Sequence, residues 1–79
     1  MSKITYFVVQ SFEVSRRGHA IPMALVQAQS PAQAVRMAER LASKGGAIAF
    51  SRTGDPETGD FDDAVILGQF GEVATETVA

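Results

Sequence analysis

Five carboxylates crowd one short stretch of this 79-residue chain, Asp55, Glu57, Asp60, Asp62 and Asp63. Closely spaced carboxylate oxygens are what a hard cation such as calcium takes as ligands. A helix–loop–helix calcium loop needs alternating ligands, glycine at its sixth position and glutamate at its twelfth. Counted from Asp55, the glycine (Gly59) comes one position early, and counted from Asp60, the fifth position is Ala64. The run therefore reads as a solvated connection. Paired carboxylates also perform acid and base work in glycoside hydrolysis, but only where an enclosed site separates their pKa values. A surface loop on so small a domain offers no such enclosure. His19 is the single histidine, in a turn beside Arg16 and Arg17, and the chain has no cysteine. A metal site there would have only carboxylates to complete it, and a nucleophile would need a Ser or Thr brought to that one base. The expectation is an exposed turn histidine, with no catalytic residue, no metal and no cofactor.

The basic residues carry more information. Arg36, Arg40 and Lys44 recur at every fourth position and form one stripe along a helix, and Arg16, Arg17 and Arg52 extend a positive surface. Such a stripe can track phosphates. Against a nucleic-acid reading stand its shortness, Glu39 beside it and a pI near 5.2. A solvated helix face that keeps the protein soluble is the plainer reading of the stripe, and these six residues are the candidates for a partner-binding surface. The formal charge of −2 hides a division: residues 1–53 hold all seven Lys and Arg against Glu13 and Glu39, whereas residues 54–79 hold seven acids and no base. Halves so unequal call for a partner or a second copy to complement them.

The element that presents the stripe is defined at both ends. Ser30 is a preferred N-cap, Pro31 fits the first helical position, and Gln33 completes a Ser-x-x-Gln capping box. Ala34, Val35, Ala38, Leu41 and Ala42 share one face at helical periodicity. Lys44 suits the negative end of the dipole, and Gly45 or Gly46 is expected to close the helix in the left-handed conformation. The apolar stripe is mostly alanine, so the sheet beneath it must supply the volume.

Elsewhere the chain reads as strands. Ile4 to Val14 is β-branched and aromatic on both faces, as a central strand is, with Ile4, Tyr6, Val8, Phe12 and Val14 on one side and Phe7 and Val9 on the other. After the turn at Gly18 a second, edge strand is expected from Met23 to Gln29, starting past Pro22 because proline cannot donate to a ladder. Ala47 to Thr53 is the third strand. A hairpin loop over 54–60 leads to a fourth at Ala64 to Phe70, in which Gly68 marks a bulge or a close approach.

The order β-β-α-β-β predicts an α+β fold, a four-stranded antiparallel sheet of order 2-1-3-4 with one helix on one face. The ordered core is expected over 3–73, with 74–79 a flexible tail. The second face is left open, and it is expected to present Phe7, Val9, Ala47 and Ala49 as a dimer face. Burying about 300 Å² there would contribute about 7 kcal/mol before association costs.

The segments Tyr6 to Gln10, Ala34 with Ala38-Glu39-Arg40, Gly46 to Asp55, and Gly59-Asp60 resemble a group of short uncharacterised bacterial proteins of the same β-β-α-β-β pattern. That resemblance implies a fold and no activity. A single small domain of 46% hydrophobic residues, without disulfides to reinforce it, is near the size at which oligomerisation is needed for stability. No stretch reaches transmembrane length and no signal peptide opens the chain, so a cytoplasmic protein is expected. The sequence points to a non-enzymatic interaction or regulatory module acting as a homodimer and binding a protein partner. The alternatives are a nucleic-acid-binding protein using the helix stripe, and a small enzyme or ligand-binding protein with its site at a dimer interface.

Overall fold

The apolar run Ile4–Val14 forms β1, and its mid-strand residues are buried on both faces, Val9 against the helix and Phe12 in a second apolar cluster on the other side. The computed structural model describes residues 3–73. Strand β2 (Ala20–Ala28) and strand β3 (Gly45–Asp55) pair antiparallel with β1, and β3 carries two further partners, β4 (Asp60–Phe61) and β5 (Val65–Gly71). The order is β2-β1-β3-β4, with β5 on the same side of β3 as a continuation. This is the expected α+β sheet: the fourth strand expected at Ala64 to Phe70 is β5, and the two-residue β4 is an additional piece ahead of it. Residues 74–79, expected to be a flexible tail, lie outside the described residues.

Helix α1 (Pro31–Leu41) begins as its sequence dictates. Ser30 is extended (φ −152°, ψ 160°), and its Oγ accepts from the Gln33 N–H at 3.1 Å. The Gln33 side chain reaches one residue further back than a capping box requires, accepting from the Gln29 N–H at 2.6 Å. The far end departs from expectation. A 3-10 turn, Ala42–Lys44, leads directly into β3, and neither Gly45 nor Gly46 is left-handed. Both are glycine for space: a Cβ on Gly45 would stand 2.7 Å from the Phe12 carbonyl oxygen, and one on Gly46 would collide with the Glu72 backbone.

Strand β2 starts at Ala20, before Pro22 and not after it. Pro22 pairs with Phe12, which an edge strand tolerates because its outer side needs no ladder donor. Just beyond, the register shifts between Gln10 and Phe12, where Ser11 faces an extra residue of β2. Two buried polar side chains bridge this bulge. Ser11 Oγ accepts from the Ala24 N–H (3.1 Å), and Gln10 Nε2 donates to the carbonyls of Ser11 and Ala24 (both 3.0 Å).

Alanine decides which face takes the helix. Ala34 and Ala38 of α1 are fully buried against Val9, Ala47 and Ala49, with Phe7, Val35, Met37, Leu41, Leu67 and Phe70 filling the margin. Small side chains on both surfaces let the helix axis come close to the sheet. Gly68 belongs to this contact, since a Cβ there would reach Val35 at 3.6 Å and press on Phe70 at 3.2 Å. The opposite face carries Val8, Phe12, Ile48 and Phe50. The molecule is thin, 45 × 23 × 16 Å along its principal axes.

Candidate interaction surface

The face expected to be open is the covered one. Phe7, Val9, Ala47 and Ala49 lie beneath α1, with Val9, Ala47 and Ala49 wholly inaccessible, and they cannot form a dimer face. The volume expected of the sheet beneath the helix is not supplied by its largest residues, Ile48 and Phe50, which lie on the other face; small residues approach closely instead. The uncovered face is also less apolar than one layer of sheet would suggest. Phe12, Ile48 and Phe50 are at most 7% exposed because Val8 and Ala20 pack on them and Ala64 and Val73 fold over from the far edge.

Exposed large apolar side chains lie at both edges of the sheet. Ile21, Met23 and Leu25, at 45%, 51% and 64% exposure, belong to β2, and Val65 and Ile66, at 59% and 45%, belong to β5. In β2 Gln27 is the single polar residue, and no charge occurs from Ala20 to Val35. The signal was present in the sequence as that uncharged run. Expecting an edge strand there did not reveal how little would cover it.

The charged residues divide along the strand axis. Arg16, Arg17 and His19 are exposed in the β1–β2 turn, which is closed by the Ser15 N–H donating to the His19 carbonyl (2.8 Å) and the Gly18 N–H to the Ser15 carbonyl (2.9 Å). Lys44 enters β3 at the same end, where Glu13 pairs with Gly45. Arg36 and Arg40 are exposed along the helix between the ends. Arg52 is not part of this surface. It pairs in register with Tyr6 near the acidic end, and its guanidinium carbon lies 5.9 Å from the centroid of the Phe61 ring, itself 6.1 Å from Tyr6. Arg52 Nε is buried without a hydrogen-bond partner. The structure thus places Arg16, Arg17 and Lys44 at one end of the sheet and Arg52 toward the other.

The acidic hairpin holds itself together. Asp55 Oδ1 accepts from the Glu57 N–H at 2.9 Å, and the Asp55 carbonyl accepts from the Gly59 N–H at 2.8 Å, with Gly59 at φ +79°. Asp62 meets Lys3 at 3.7 Å with both side chains about two-thirds exposed, a pair of the kind that contributes little. An open depression lined by Lys3, Asp55, Thr58, Asp60, Phe61 and Asp62 lies over the hairpin. Among the described residues no three acids or histidines converge as metal ligands do. Nor, among them, is any helix long and apolar enough to cross a membrane. No family model matches the chain, and no curated protein and no solved structure matches it.

Proposed function

We propose that the chain is a non-enzymatic protein-interaction or regulatory module of the cytoplasm, working as a homodimer. The observation that carries this reading is the exposure of Ile21, Met23 and Leu25, large apolar side chains held in water to either side of the bulge on a strand without a charge. Exposed apolar surface of that kind marks association sites. The charged groups support the same reading, since the basic ones are spread over one end and the helix, and Lys3, Asp55, Asp60 and Asp62 line an open surface depression. Light scattering from low to high micromolar concentration is expected to give a mass of twice the 8.4 kDa of the chain. A monomer throughout that range removes the homodimer. Mixing the chain with RNA or DNA tests the rival reading on the exposed Arg36, Arg40 and Lys44 stripe. Binding that weakens with salt and is lost in the Arg36→Ala, Arg40→Ala double variant would replace the protein-interaction reading.

A further inference from the structure

Resting on the homodimer reading, and giving it a geometry, we propose that β2 is the seam: Ala24–Ala28 pairs antiparallel with the same segment of a second copy, so that two sheets become one. Strand β2 ends the sheet, and among the described residues nothing pairs with its outer side. The Ala24 N–H and C=O are turned inward to Ser11 and Gln10 of β1. Peptide groups alternate in direction along a strand, so those of Leu25 face outward. Natural edges are blunted by proline, bulges and charge. Here Pro22 and the bulge protect only the first half of the strand. From Ala24 to Ala28 the edge is unbroken and uncharged, and Leu25 on it is 64% exposed.

Charge selects both the occupant and its direction. Strand β2 starts beside the basic end, directly after His19, and finishes toward the acidic one, where Ala28 pairs with Phe7 and Ile4 pairs with Gly54. An antiparallel partner lies end for end. The Arg16, Arg17 and Lys44 end of each copy, net positive although Glu13 and Glu72 lie there, is then level along the seam with the Asp55 to Asp63 end of the other, net negative although Lys3 and Arg52 lie there, and the neutral edges meet between them. A parallel arrangement would set like charges side by side, which is costly. A second copy carries the matching edge and the reversed charge in one surface.

Light scattering on the full chain tests this with Leu25→Lys and Ile66→Lys, substitutions of exposed side chains at opposite edges of the sheet, each checked for a wild-type circular dichroism spectrum. In the dimer Leu25→Lys places two cations at the seam, so its dissociation constant is expected to rise at least about tenfold. Ile66→Lys should dimerise as the wild type does, and salt should weaken the wild-type dimer. If Leu25→Lys loses the fold, the exposed Gln27→Lys reads the same edge. A dimer untouched by Leu25→Lys or Gln27→Lys, or broken by Ile66→Lys, overturns the seam and leaves the homodimer standing. Dimerisation indifferent to salt overturns the end-for-end arrangement. A wild-type monomer overturns both readings.

Discussion

One glycine and four alanines set how close the segments come. Ala34, Ala38, Ala47 and Ala49 bring α1 down onto the sheet, and Gly46 lets the chain after β5 cross β3, where the Glu72 N–H donates to the Gly45 carbonyl (3.1 Å). Gly46→Ala pushes a methyl group into the Glu72 backbone. The expected loss is about 1–3 kcal/mol, the cost of forcing one carbon into a packed site, measured by urea unfolding. Local chemistry of this scale was partly legible. Ser30 could be named as the cap because its role depends only on the three residues that follow it. Gly46 could not, because the atom it makes room for lies 26 residues away in the chain, at Glu72.

For single elements, the strand pattern was legible but its orientation was not. Alternation in β1 and β3 separates Phe7, Val9, Ala47 and Ala49 from Val8, Ile48 and Phe50, yet nothing in the alternation says which set meets the helix. That depends on axis-to-sheet distance, which small residues decide. The bulge in β2 was equally hidden, although its cause stands in the sequence as Gln10-Ser11 in the middle of an apolar strand. Those side chains replace ladder bonds that the extra residue disrupts. Ser11→Ala removes the acceptor for the Ala24 N–H, with an expected cost of about 1 kcal/mol in urea unfolding. Amide exchange over Ala24–Ala28 should quicken in the same variant. An unchanged exchange rate would mean that the bulge is held by the remaining strand pairs.

On the scale of the whole molecule, the unequal charge of the two halves of the sequence becomes an unequal charge of two ends. The sequence disclosed this for the five acids of 55–63, whereas Glu72 returns to Gly45 at the basic end and Lys3 and Arg52 lie at the acidic one. What it did not disclose is the dimension across the layers. One alanine-lined helix on one sheet makes a plate 16 Å thick, and each buried side chain is a single layer from water. Thickness has a thermal consequence. The heat capacity of unfolding follows the apolar surface newly wetted, about 12–15 cal/mol/K per residue in ordinary domains, and small domains have less of it to expose. Calorimetry on dilute protein should find a value at or below the lower figure. The stability curve is then shallow, so folding free energy changes little between a cold room and body temperature, and melting is gradual when it comes.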